Sequence, residues 1–453
     1  DLLNTTWDAS NPMTAYLYNR LIFNVTLCNH YLDNTGGNPE GLDEAFAEDK
    51  RMHTRRAEIR MMRAMTYSYL VDFFGNPPFL TTVDQEKMPE QHPGNRAGMA
   101  NWVISELKAC EKTLLPAEDL GGSARFYRFS QDAATLLLAR MYLNAEVYTG
   151  KAQWDSAAVY AKKIMDKYPI VSIPYKQLFM ADNDNNAATP EIIFSIGQDG
   201  QQTQSWGGSL FCVAGSHSAK MNANGSTDNW ECWRSSPELL QEFTGMSLAE
   251  LKAIKGDETE MPTLLQDDRA LFCNHTAGGF IATLGGTAEY GTGNFEKCWA
   301  ICKWSGLKST GEGGSHTQFP DTDLPLFRAA EAYLTYAEAQ LRLGNADVAL
   351  QTINENIRAR AHATNLTAMT ERVLLDEWQR EFYSEGRRRS DMIRFGSFTG
   401  KGVKYNETLH YHWEGRGKKP SGSITTIDEK YNLFPIPNSE RLANPNLKQN
   451  AGF

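Results

Sequence analysis

The stretch FRAAEAYLTYAEAQLRLGNADVALQTINENIRAR, residues 327–360, reads as a helix, a turn at Gly344 and Asn345, and a second helix. Ala337 and Ala339 on the first helix face Ala349 and Ile353 on the second, the small-against-large pattern of two helices packed side by side. The unit returns at 132–165, with Ala139 and Tyr142 before its turn and Ala157, Ala158 and Ala161 after it. It returns again as 54–75 followed by 99–114, with a longer connector, and 371–396 supplies the start of a fourth. One such hairpin cannot bury its own apolar face, so a chain that repeats it must stack the copies around a shared core.

This hairpin resembles the tetratricopeptide repeat, although the copies are degenerate and separated, so no regular array is expected. The expected fold class is mostly α: a tetratricopeptide-like helical-hairpin scaffold with an inserted irregular loop and strand lobe. The helical texture covers roughly 42–75, 96–115, 130–168 and 326–394. A second texture fills 181–319, which holds 18 of the 36 glycines, five of the ten tryptophans and five of the seven cysteines. A composition shift of that size marks an inserted lobe. Within it EIIFSI, RALFCN and GFIATL read as short strands between glycine-rich turns. The expected organisation is 1–180 helical, 181–320 the inserted lobe, and 321–453 helical with a closing tail. That tail, YNLFPIPNSERLANPNLKQNAGF, holds no helical period, yet it keeps Phe434, Ile436 and Leu447 among its prolines. A disordered tail would be poorer in such residues, so docking onto the body is expected.

The net charge of −10 argues against nucleic acid, because phosphate binding needs clustered Lys and Arg. No apolar run reaches the roughly 18 residues of a membrane-spanning helix, and no basic amphipathic stretch suggests a membrane-surface helix. The chain opens at Asp1, so a processed form with its targeting signal outside the sequence is expected. Cysteines 28, 110, 212, 232, 273, 298 and 302 form no zinc or redox spacing. They read as small buried hydrophobes with one disulfide among them.

Four segments together resemble one family. RAEIRMMRAMTYSYLVDFFGNPPFLTT, LPLFRAAEAYLTYAEAQLRLG, EWQREFYSEGRRRSDMIRFG and the closing tail are similar, in this order, to the framework motifs of SusD/RagB-like proteins. The departures are mild: Ala451 replaces a usual proline, and Trp378 sits where an arginine is common. The resemblance implies a surface-exposed outer-membrane lipoprotein that caps a SusC-like TonB-dependent transporter and captures an oligosaccharide for import. Its lipid anchor would lie on an N-terminal cysteine that this sequence does not contain. It also implies that the repeat scaffold faces the transporter, that the lobe holds ligand, and that the tail packs along the helical body. No cofactor is implied.

Sugar recognition needs a flat aromatic face for the apolar side of a pyranose and planar polar groups for its hydroxyls. QDGQQTQSWGGSLF offers Trp206 among glutamines and glycines. NANGSTDNWECWRSS places Trp230 and Trp233 beside Asp228, Asn229 and Arg234. AEYGTGNFEKCWAICKW adds Tyr290, Asn294, Trp299 and Trp304. Trp206 and Trp230 are the preferred platforms. Trp299 and Trp304 lie in a strand-like run and read first as core, and Trp233 reads equally as a staple for the helix that follows. The resemblance adds the polar loop 29–41, with Asp33 and Asn34, against the ordinary reading of a helix end at Gly36 and Gly37.

Some features tempt other readings. Glu381 and Glu385 share a helix face as a hydrolase pair might, but Arg380, Arg387, Arg388, Arg389 and Arg394 crowd them, and arginines oppose a protonated general acid. An ion-pair network is expected instead. DNDNNAAT alternates Asp182, Asp184 and Asn186 as calcium loops do, but Ala187 and Ile193 stand where an EF-hand needs Gly and Glu. HYHW brings His410 and His412 to one face without a third ligand. The expected function is non-catalytic glycan capture of modest affinity. Its rivals are peptide capture, a glycoside hydrolase, and a scaffold that binds only protein.

Overall fold

In a computed structural model the chain divides into two compact units. The residues described are 5–35, 50–83, 87–219, 221, 223–233, 235, 237–246, 266–273, 300–399 and 427–453. One unit is built from residues up to 164 together with 396–399 and the tail from 427, and the other from 165–395.

The first unit opens with α1 (Pro12–Asn34), whose start is fixed by Asn11: its side chain accepts from the backbone N–H groups of Met13 and Thr14, and Pro12 needs no N–H there. α2 (Lys50–Phe74) packs on it, and α3 (Asn95–Thr113) packs on α2. Buried arginines tie the three helices together. Arg60 and Arg63 of α2 reach Glu106 of α3 at 2.6 and 3.2 Å, and Arg63 also donates to Asn29 of α1 at 2.8 Å. This explains why arginines punctuate an otherwise apolar helix. α4 (Gln131–Leu143), capped by Ser130, breaks at Asn144 into α5 (Ala145–Thr149), and Gly150 in left-handed conformation turns the chain toward α6 (Trp154–Lys167). Ala139, Tyr142, Ala157, Ala158 and Ala161 are buried as the hairpin pattern requires.

The second unit carries an antiparallel pair, β1 (Ile192–Ile196) with a later strand, then α7 (Ser209–Gly215) and α8 (Pro237–Thr244). β2 (Phe272–Cys273) pairs with β3 (Ala300–Ile301), and β4 (Leu324–Arg328) is the partner of β1. EIIFSI thus falls on β1 from Ile192 onward and RALFCN only at Phe272 and Cys273, while GFIATL lies outside the described residues. α9 (Ala330–Arg342) and α10 (Ala346–Thr352) form the hairpin with its turn at Gly344, φ 90°. α10 widens into a π-helical stretch, Ile353–Arg358, before α11 (Glu371–Phe382) and α12 (Arg388–Arg394). Ala337, Ala339, Ala349 and Ile353 are fully buried.

At the centre of this unit sits an ion-pair network. Arg328 Nη1 meets Glu381 at 2.6 Å and Glu191 at 2.9 Å, and its Nη2 meets Glu385 at 2.8 Å. Arg360 pairs with Glu191 and Glu381, and Arg269 reaches Glu377 at 2.8 Å. Glu338 accepts from Arg394 and, at 2.7 Å, from the indole N–H of Trp378. A tryptophan can therefore stand where the family motif has an arginine, because it still supplies a donor.

The tail returns to the first unit with α13 (Asn438–Ala443). Ile436 and Leu447 are buried, while Phe434 is half-buried, with its ring 5.3 Å from Trp7 and its N–H on Phe73 at 2.7 Å. Two side-chain amides hold the strap: Gln449 brackets both backbone groups of Ile436, and Gln91 brackets those of Lys448. Cys302 is disulfide-bonded, whereas Cys28, Cys110, Cys212 and Cys232 are free. No helix among the described residues is long and apolar enough to cross a membrane.

Candidate functional site

The second unit gathers its exposed aromatic rings around α7. Gly208, at φ 61°, turns the 199–207 loop into the helix in a conformation that L side chains rarely adopt. Along α7, Leu210, Val213 and Ala214 are buried and leave Phe211 facing outward, 46% exposed. The segment 223–233 then runs back over the helix. Its Asn224 side chain donates to Val213 O, Trp230 N to Ala214 O, and Trp233 N to Gly215 O, all between 2.7 and 2.9 Å. On its other side Thr227 N reaches Thr317 O, and Ser226 Oγ reaches Gln318 O. A loop without regular structure is thereby pinned on two sides.

The rings form one connected surface. Phe211 lies 6.2 Å from Trp230 and 5.8 Å from Trp233. Trp206, 63% exposed, sets its edge against Phe319 at 5.4 Å. Trp230 is half-buried and packs on the cluster of Leu210, Ala214 and Phe319. Trp206 thus rests on Phe319, a member of the cluster against which Trp230 packs. Trp233 does two things: besides facing Phe211, it packs against the core group of Leu239, Leu240, Phe272, Ile301 and Tyr383, so it also staples α8.

The polar residues are arranged around these rings. Asp228 is half-buried and accepts from the Trp230 indole N–H at 3.2 Å and from the Gln318 amide at 3.0 Å, so one oxygen orients Trp230 and the other is held by Gln318. Asn229 is exposed; its amide donates to Thr227 O, and its oxygen lies 2.5 Å from His217 Nδ1. Around Trp206 residues 201–208 are all exposed, tied down by Asp199 and by Asp321, which accepts from Gly200 N and Ser315 N. Indole and phenyl faces beside a carboxamide suit the apolar and hydroxyl sides of a pyranose.

Of the residues singled out in the sequence, Trp206, Asp228, Asn229, Trp230 and Trp233 come together here. Tyr290, Trp299, Arg234 and Asn294 lie outside the described residues. Asp33 and Asn34 belong to the first unit, where Asp33 accepts from Thr82 and Val83 N, and Asn34 donates to His30 O at the end of α1. Trp304 is buried, with its N–H on Ser384 O, as its strand-like run suggests. Sequence reasoning missed Phe211, His217 and Gln318. Helical spacing of Leu210, Val213 and Ala214 could have revealed Phe211, but nothing local marks the other two.

Glu381 is fully buried. Burial would push its carboxyl up, but Arg360, Arg328 and Arg269 outweigh this and hold it well below the usual range. Glu377 is likewise brought down to about 2 by Arg269, Arg380 and Arg358 against the effect of burial. Lys303 completes the network, donating to Glu385 at 2.6 Å and lying 4.4 Å from the rings of Phe179 and Tyr383; burial pulls its ammonium down to about 8. Asp182 spends both oxygens on Ser309 and one on Asn186. Among the described residues no group of three or more His, Cys, Asp or Glu is placed to hold a metal. The HYHW histidines lie outside those residues.

Comparison with known proteins follows the same lines. The chain is 36% identical to the starch-binding protein SusD of Bacteroides thetaiotaomicron, over all of this chain and 81% of that protein. Among solved structures, a SusD homologue from Bacteroides thetaiotaomicron superimposes with a TM-score of 0.72 at 18% identity, covering 99% of this chain and 88% of that one. A laminarin-binding SusD-like protein does so with 0.66 at 19% identity, over 99% and 88%. The SusD family model matches residues 190–453, a span that holds the ring surface, the ion-pair network and the docked tail, and the chain belongs to the SusD family.

Proposed function

We propose that this protein binds an extracellular oligosaccharide, without cleaving it, on the surface formed by Trp206, Phe211, Trp230 and Trp233. The observation that carries the reading is that Trp206, 63% exposed, and Phe211, 46% exposed, lie on and beside the cluster under Trp230, since exposed aromatic rings grouped in one place mark a binding surface where scattered single ones do not. The lobe 181–320 is the ligand-holding part, and Tyr290 and Trp299 belong to the proposal as further rings. Asp33 and Asn34 stand as a second, separate proposal in the first unit. A starch-type α-glucan is the first cargo to try, in view of the 36% identity to a starch-binding protein; a β-glucan is the second. The bound sugar passes to a SusC-like TonB-dependent transporter at the outer face of the outer membrane, to which a lipid anchor outside this sequence would tether the protein. Affinity is modest, because a shallow surface buries little area and must release its cargo.

Affinity electrophoresis through gels containing soluble starch, laminarin or no polysaccharide tests the reading. Retardation in at least one glucan gel is expected, with no effect of a mixed peptide competitor. Unretarded migration in every gel, or release by peptide, contradicts it.

A further inference from the structure

Among the described residues, Asn229 is the one carboxamide beside Trp230 that is exposed and not consumed by orienting the ring. Two contacts fix how it sits. Its Nδ2 lies 3.1 Å from Thr227 O, which can only accept, so this side of the amide must be the donor. Its Oδ1 then faces His217 Nδ1 at 2.5 Å, and because an amide oxygen only accepts, that ring nitrogen must carry the proton. His217 is 5% exposed and held by its own backbone: its N–H reaches Ala214 O, and its carbonyl accepts from Glu231 N. Glu231, next to Trp230, adopts φ 50°, a conformation uncommon away from glycine, so its surroundings impose the turn.

We propose that His217 is a positioning residue for the glycan: it locks the Asn229 carboxamide so that one amide N–H and one carbonyl lone pair face the sugar hydroxyls beside the Trp230 ring. The inference rests on the glycan-binding reading above and adds which buried residue sets its polar geometry. Neither the second N–H of Asn229 nor the second lone pair of its oxygen has a partner among the described residues. Locking the amide before the ligand arrives removes rotamer entropy that a free asparagine would lose on binding. A buried histidine, unlike a surface one, is itself held in a single orientation.

Calorimetric titration of the full chain with maltoheptaose and laminarihexaose, on wild type, Asn229→Ala, His217→Leu, His217→Asn and the Asn229→Ala/His217→Leu double variant, tests this. Asn229→Ala should weaken binding about ten-fold, the worth of one hydrogen bond. His217→Leu should weaken it by the same factor, and the double variant should be no weaker than either single one, because both changes remove the fixed Asn229 amide from the sugar. His217→Asn, whose amide nitrogen takes the place of Nδ1 and can still donate to Asn229, should restore most of the affinity. Melting temperature separates this from general damage, and a purely structural role would not make the losses non-additive. Wild-type affinity in His217→Leu, or losses that multiply in the double variant, overturn the inference while leaving the glycan reading standing. If His217→Leu does not fold, Asn229→Asp, which sets an acceptor against Thr227 O, must lose binding like Asn229→Ala; unchanged binding overturns the inference. Failure of wild type to bind either these sugars or the polysaccharides overturns the glycan reading and this inference with it.

Discussion

Glu381 has no exposed surface and answers to Arg328, Arg360 and Arg269 at once. A carboxylate so placed works as a structural counter-ion, and removing its charge leaves three guanidinium groups short of a partner. Glu381→Gln should therefore cost about 3–5 kcal/mol, the penalty for breaking a buried pair, read as a lower midpoint in urea. The pH dependence follows from the same neighbours. Glu377 and Glu381 are both held below their ordinary 4.5, so in acid the unfolded chain takes up protons that the native state refuses. Their contribution is complete above pH 4.5 and is lost as pH falls toward about 2, the value reached by Glu377. Thermal melts at pH 4.5 and 3 should show the midpoint dropping across that interval. A flat profile down to pH 3 would mean that the pairs are not formed. The arginines near Glu381 in sequence pair elsewhere, Arg380 with Glu377, Arg387 with Asp391, Arg388 with Glu242 and Arg394 with Glu338, so only the existence of an ion-pair network there was legible. Lys303 was not, because it comes from a distant segment that only the fold brings under Tyr383.

At the scale of elements, the glycine-rich lobe differs from the hairpins in how it is held. Helices carry their own hydrogen bonds, whereas the 223–233 segment depends on close backbone contacts at a few points. Gly225 is the tightest of them, with φ 88° and a Cβ that would lie 2.1 Å from the carbonyl carbon of Gly306. Gly225→Ala must push the segment off that neighbour and carry Trp230 with it, so glucan binding should fall at least about ten-fold while the helical CD signal stays unchanged. Retained affinity would show that the segment does not position the ring. By contrast, Asn11→Ala removes a helix cap in the first unit and should lower stability by about 1 kcal/mol without touching affinity, measured by urea melts and titration in parallel. The hairpins were readable because Ala and Leu recur at helical spacing. Between 181 and 319 the ring-bearing residues were legible, but for most of them not which way they face. Phe211 is the exception that the spacing of Leu210, Val213 and Ala214 would have marked, since the register of α7 exposes it.

At the scale of the whole molecule, the tail answers why a helical protein ends on prolines. Ile436 and Leu447 are buried, and Phe434 packs on Trp7 and Phe74. Prolines 435 and 437 limit the freedom lost when the strap docks. Ending the chain before residue 427 should expose these partners and destabilise the first unit by several kcal/mol, about 2–5 for each large apolar residue whose site is vacated, seen as a lower melting temperature. The docking was legible because a disordered tail would not keep Phe, Ile and Leu. Its partners were not, since Phe73, Phe74 and Gln91 lie more than 300 residues away in sequence. The central claim is that outward-facing rings hold a glucan and leave it intact. The most direct test titrates maltoheptaose into wild type, Trp206→Ala and Trp230→Ala, and assays the recovered sugar for new reducing ends. The account predicts measurable wild-type binding, a loss of about ten-fold or more in each variant, in line with 1–3 kcal/mol for a stacked aromatic ring, and an unchanged reducing-end count. Equal binding by all three proteins, or sugar returned shorter than it was supplied, would contradict it.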